Sequence, residues 1–126
     1  MAEELEDINI KQQFAELVAE NDQERLREFL NDQNISDVAE LIDEYPAYEA
    51  YIISNLNVNR AASTFKILDF SVQKRIIGQL PPIKTAELLN DLPPDDRTDF
   101  LEELPSEVVK ELIRLMNPEE RKVTLS

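Results

Sequence analysis

The sequence has no cysteine and no histidine, and Gly78 is its only glycine. Without cysteine and histidine the chain can form no disulfide framework, no Cys/His zinc site, no Cys-His nucleophile pair and no Ser-His-Asp triad. A single glycine argues against hairpin-rich β structure and against a phosphate-cradling loop, because both need positive φ or close backbone approach. Positive charge is scarce: 13 Lys and Arg face 27 Asp and Glu, a net −14. That imbalance repels phosphate backbones and anionic lipid, which leaves cations and basic surfaces as the partners of choice over nucleic acid or a membrane surface. Long apolar runs are missing too: none approaches the ~20 residues that span a bilayer, and the acidic start MAEELEDINI lacks the order of a signal peptide. The fragment therefore reads as a soluble piece with no membrane insertion of its own.

What is present is enough for one domain. Apolar residues make up 42% of the 126, led by Leu and Ile, which suits a folded chain with a single core. Residues 1–8 read as a disordered acidic N-terminus and 9–126 as one helical domain. Within it, Ile10, Phe14, Leu17, Val18, Leu26, Phe29 and Leu30 fall at helical spacings, and Asn21-Asp22 marks a break, so 9–33 is expected to be a capping helical hairpin. Residues 1–33 hold ten acids and three bases, half of the whole chain's net charge.

From residue 34 onward a repeat sets in. Leu56, Leu68, Leu80, Leu92, Leu104 and Met116 recur at intervals of twelve. The pairs Ile52-Ile53, Ile76-Ile77, Leu88-Leu89, Phe100-Leu101 and Leu112-Ile113 keep the same phase and share a helical face with the repeat residue. Asn57, Asp69 and Asn117 stand at N-cap positions, and Pro82, Pro94 and Pro118 where proline favours a first helical residue. Twelve residues accommodate roughly nine helical residues, about 13 Å, and a tight turn. Helices this short are marginal alone and must stack. The expected fold is all-α: a right-handed superhelix of short antiparallel helices, with helix ends beside Pro46, Pro81, Pro93 and Pro105 and with Leu80, Leu88, Leu92, Leu101, Leu104 and Leu112 buried. At the C-terminus NPEERKVTLS begins another unit and stops, which points to a chain cut from something longer.

One turn is dense in acid. In DDRTD, Asp95 and Asp99 are i and i+4 and project from one helical face. Paired carboxylates suit Mg²⁺, a hard cation that keeps several waters and takes one or two carboxylates. Spacing alone favours another reading over this one, since Asp95 and Asp96 follow Pro94 at the start of a helix, where its dipole favours negative charge. Glu102-Glu103 and Glu119-Glu120 read as solvated faces, Tyr45, Tyr48 and Tyr51 as packing residues, and Ser36-Asp37 as an ordinary helix start. No convergent acid, base and oxyanion donor set is present, so the chain is not read as an enzyme.

The stretch LPPIKTAELLNDLPPDDRTDFLEELPSEVVKELIRLMNPEER, preceded by NISDVAELIDEYP, resembles the intracellular N-terminal domain of MgtE-type magnesium transporters over about residues 25–121. The resemblance implies a cytosolic Mg²⁺-sensing module that precedes tandem CBS domains and a membrane pore. Such a module docks on the CBS domains of the same transporter, itself a homodimer, and helps close the pore when intracellular Mg²⁺ is high. It would lie on the cytoplasmic side of the cell membrane. The family's metal-linked aspartates match Asp95 and Asp99; where at least one member has an acidic ligand in the unit ending at Leu68, this chain has Ser63. A helical-repeat protein-interaction scaffold, related to flagellar rotor proteins, is the alternative from a different class.

Overall fold

The computed structural model describes residues 2–115, with side chains from residue 10 onward. The described residues form helices and no strand. In order they are α1 (Ala2–Glu20), α2 (Gln23–Asp32), α3 (Ile35–Glu44), a 3₁₀ turn (Pro46–Tyr48), α4 (Glu49–Ser54), α5 (Val58–Lys66), α6 (Phe70–Gln79), α7 (Pro82–Asp91), α8 (Pro94–Glu102) and α9 (Ser106–Leu115). The acidic segment 1–8, read above as disordered, is helical backbone from Ala2. It contains neither glycine nor proline, and helix-forming Ala, Glu and Leu dominate it. The expected Asn117 and Pro118 helix start lies outside the described residues.

Asn21 breaks α1 from α2 by taking φ 57°, a left-handed conformation that asparagine tolerates better than most residues. Its N–H donates to the Val18 carbonyl at 3.1 Å, and Asp22 then caps α2 by accepting from the Arg25 N–H at 3.2 Å. The hairpin so formed packs against the residues that follow it. Phe14 is 1% exposed and meets the Tyr45 and Tyr48 rings at centroid distances of 5.1 and 6.0 Å. Asn31 ties the hairpin to the turn before α5: its Nδ2 donates to the Asn55 carbonyl at 3.0 Å, and its Oδ1 accepts from the Asn57 N–H at 2.8 Å.

The repeat residues behave as their phase requires. Leu56, Leu68, Leu80 and Leu92 are buried, as are Ile52, Ile53, Ile76, Leu88, Leu89, Phe100, Leu101 and Leu112. Leu104 was expected to be buried and is only partly so; it is the last repeat leucine described, with one helix rather than two after it. In the unit ending at Leu68 the pair position holds Thr64, 0% exposed, whose Oγ1 donates to the Arg60 carbonyl at 2.9 Å. The hydroxyl is satisfied within its own helix, which lets a polar residue occupy an apolar place.

Packing follows alternate helices: α3 lies on α5, α5 on α7 and α7 on α9, while α4 lies on α6. α6 and α8 meet through rings, Phe70 to Phe100 at 5.8 Å, with Phe65 of α5 reaching the same Phe100 at 5.2 Å. Pro82 and Pro94 are the first residues of α7 and α8, and Asn57 and Asp69 stand at the N-caps of α5 and α6, but neither Asn57 nor Asp69 makes a side-chain capping bond. Side chains instead hold the C-terminal ends, where helix carbonyls lack partners. Arg60 donates to the carbonyls of Leu30 and Gln33 at the end of α2, Gln73 to that of Phe65 in α5, and Arg97 to that of Leu89 in α7.

Candidate functional site

The acid-rich α8 is best understood from its inward face. Arg97, Phe100 and Leu101 are 1%, 6% and 5% exposed; at 3.6 residues per turn they lie within about 100° of one another. The residues opposite them are Asp95, Asp99 and Glu102, all exposed. Burial of the first three therefore turns the second three outward along one edge. Asp96, intermediate in exposure, projects sideways between the two groups.

Beside α8 is a cleft of about 200 Å³ whose one wall is Lys66, Phe70 and Gln73 and whose other is Asp96, Asp99 and Phe100. Phe65 and Leu92 close its base. Of the two aspartates chosen from the sequence, Asp99 borders this cleft and Asp95 does not; Asp96, which the helix-dipole argument explained, does. The Lys66 side chain brings a positive charge to a site whose acids are only two. Among the described residues no group of three or more His, Cys, Asp or Glu converges as a metal cage. The cleft itself, with Lys66 beside Asp96 and Asp99, is thus no cation cage; the exposed pair Asp95 and Asp99 offers two carboxylates, a number that suits only a partial Mg²⁺ shell completed by water or another surface. Ser63 is exposed on α5 and adds no carboxylate.

A larger groove, about 580 Å³, lies between α1 and α2, away from α8. Glu16, Glu20, Glu28 and Asp32 line it with Arg25, which pairs with Glu20 at 3.5 Å while both remain more than half exposed. Pairs this exposed add little stability, and the groove reads as the solvated face of an acidic hairpin. Asp37 sits in the first turn of α3, the helix-start role expected of it.

Two polar features of the inner structure escaped the sequence reading. Glu49 is 2% exposed and bonded by Arg75 in a fork, Nε to Oε1 at 3.0 Å and Nη2 to Oε2 at 3.1 Å, with Gln79 Nε2 adding a third bond at 3.1 Å. The hydrogen bond to Glu49, and then its charge, raise the Arg75 guanidinium above its ordinary pKa. This cluster joins α4 to α6. The second feature is Arg97, whose Nη2 donates to the Leu92 carbonyl at 2.9 Å and to the Asn90 carbonyl at 3.4 Å, in addition to the bond from Nε to Leu89 at 2.8 Å.

Both features belong to one pattern. Glu49, Gln73 and Arg97 stand 24 residues apart, while Ala61, Thr85 and Val109 fill the same phase in the alternate units. Small or apolar residues at this place suit the α5–α7–α9 row, where helix lies on helix. Polar ones in α4, α6 and α8 reach out to a neighbouring helix. A doubled period, two units rather than one, was the available signal.

Comparison with known proteins gives one family: the model described as the MgtE intracellular N domain matches residues 33–126. That span takes in α3 to α9 and leaves the acidic α1–α2 hairpin outside it. No curated protein matches the chain. No described helix is long and apolar enough to cross a membrane.

Proposed function

Because this chain belongs to the MgtE intracellular N domain family, we propose that it is the Mg²⁺-sensing regulatory module of a magnesium transporter, working on the cytoplasmic side of the membrane. The family is one of transporter domains rather than of enzymes. At low Mg²⁺ the exposed edge of α8, in a chain of net charge −14, repels a second acidic surface. As Mg²⁺ rises, hydrated ions held between Asp95, Asp99 and that surface offset the repulsion, and the module docks. The docking surface is supplied by the CBS domains of the same transporter, a homodimer in this reading, and docking favours the closed pore.

The observation that carries this reading is the orientation of α8. Its buried Arg97, Phe100 and Leu101 leave Asp95 and Asp99 exposed on one edge, open to a partner and too few to enclose an ion alone. Mg²⁺ binding should then be weak in this chain by itself and stronger with the partner, because docking and ion binding are linked. Isothermal titration of Mg²⁺ into this chain, with and without the downstream CBS region, tests the point. Equal heats and affinities in the two titrations would remove the partner from the account.

One observation favours the interaction-scaffold reading. Val58, Ile83 and Val108 are 43%, 53% and 37% exposed and lie in the first turns of α5, α7 and α9, the helices of one packed row. Serine at all three positions would weaken a partner held by that row and leave Mg²⁺-dependent docking through α8 intact.

A further inference from the structure

Arg97 stands two residues from Asp95 and two from Asp99, and a step of two along a helix is about 200°. A helix that buries residue 97 must therefore turn 95 and 99 away from the core. Arg97 is 1% exposed, and its guanidinium donates to the carbonyls of Leu89, Asn90 and Leu92. These lie at the C-terminal end of α7, where the i+4 ladder runs out (the Leu89 carbonyl also accepts from the Leu92 cap N–H, at 3.2 Å) and the dipole favours a cation. A planar fork that engages several acceptors fixes rotation as well as distance, which the single point charge of lysine does not. Phe100 and Leu101 hold the other half of α8 in the core.

We propose that Arg97 is the positioning residue of the acidic edge: its fork on the end of α7 sets the direction of Asp95 and Asp99. The proposal rests on the reading that these aspartates meet Mg²⁺, but its geometric part is separately measurable. An internal comparison exists in α6. Gln73, 24 residues before Arg97, makes the corresponding reach back to the Phe65 carbonyl at 2.7 Å. The places corresponding to Asp95 and Asp99 there are Ser71 and Arg75, so this anchor orients no carboxylate pair.

The test uses the whole chain, ¹⁵N-labelled, as wild type, Arg97→Met, Arg97→Lys and Arg60→Met. Residual dipolar couplings of the α8 amides report the direction of the helix, and line broadening by Mn²⁺, used as the probe ion, reports where a divalent cation sits. In the wild type Mn²⁺ broadens the amides of residues 95 and 99 together. Arg97→Met shifts the couplings of residues 95–99 and loses the shared broadening; Arg97→Lys, which keeps the charge but not the fork, shifts them in the same sense. Arg60→Met, which removes the anchor on the carbonyl end of α2 away from this cleft, leaves both readouts of α8 at their wild-type values. If Arg97→Met does not fold, the lysine variant decides. Couplings of α8 unchanged in the folded Arg97 variants would overturn the proposal. Shifted couplings with no broadening at α8 in the wild type would instead uphold the positioning and sink the metal reading.

Discussion

Replacing Leu89 and Leu92 separately by alanine should produce two different losses of stability, and the structure says which is larger. Each change removes three carbons, whose transfer from water is worth about 2.4 kcal/mol at ~0.8 kcal/mol per carbon. The cavity adds to this only where the surroundings cannot relax. Leu89 is 0% exposed in the interior of α7, walled in by the core, so Leu89→Ala should cost about 3–5 kcal/mol. Leu92 is 4% exposed at the C-cap of α7 and borders the cleft beside α8. Water and side chains can move into the space it leaves, and its loss should stay near the transfer value, about 2–3 kcal/mol. Urea denaturation followed by far-UV circular dichroism measures both, provided the slope with denaturant is unchanged between variants. Because each helix packs mainly on helices one or two units away, a broadened transition would signal partial unfolding and rule out a two-state fit. A Leu92→Ala loss equal to or larger than that of Leu89→Ala would refute the reasoning, and a neutral Leu92→Ala would refute the twelve-residue register itself.

Gly78 is exposed in α6 and a methyl group added to it meets nothing within 4 Å; Gly78→Ala should stabilise the fold by about 0.5–1 kcal/mol and so raise the denaturation midpoint. Thr85 is 1% exposed and its Oγ1 has no hydrogen-bond partner, so the near-isosteric Thr85→Val should be neutral or stabilising by up to about 1 kcal/mol in the same assay. The hydrogen bond to Glu49, and then its charge, raise the Arg75 pKa above its ordinary value. A raised folded-state pKa gives stability that is present below the unfolded value and is lost only as pH climbs past the folded one, so the contribution of Arg75 should be constant from neutral pH to pH 10. A midpoint falling over that range in wild type but not in Arg75→Met would contradict this assignment.

Much of the fold was legible because apolar phase and proline act locally. The repeat leucines from Leu56 to Leu92 are buried, and so is at least one member of each pair, while Leu104, Ile77 and Ile113 are partly so; helices end beside Pro46, Pro81, Pro93 and Pro105, since proline restricts the residue before it whatever the tertiary context. Glu49 and Arg97 could not be found in this way. Charged residues are seldom fully buried, and what makes these two tolerable is remote: Arg75 lies 26 residues from Glu49, and Arg97 needs the carbonyl ends of a different helix. The N-cap residues illustrate the opposite failure. Asn57 and Asp69 stand where their type predicts, yet their side chains make no cap bond; the side-chain bonds that the sequence did not announce are at the other ends, where Gln73, Arg97 and Arg60 reach helix carbonyls. For the candidate site, spacing alone placed Asp95 and Asp99 on one edge. The involvement of Asp96 in the cleft depended on where Lys66, Phe70 and Gln73 of other helices come to rest.

The central claim is that Asp95 and Asp99 make this family member responsive to Mg²⁺, and transport itself tests it most directly. The measurement is the intracellular Mg²⁺ concentration that half-closes a magnesium transporter carrying this domain, compared between wild type and Asp95→Asn with Asp99→Asn. Both residues are exposed, so the double variant should keep its fold, losing at most a few tenths of a kcal/mol of helix-dipole stabilisation from Asp95. The account predicts that half-closure moves to a higher Mg²⁺ concentration. Half-closure at an unchanged concentration in a folded double variant would contradict it, and would return the two aspartates to ordinary solvated positions on α8.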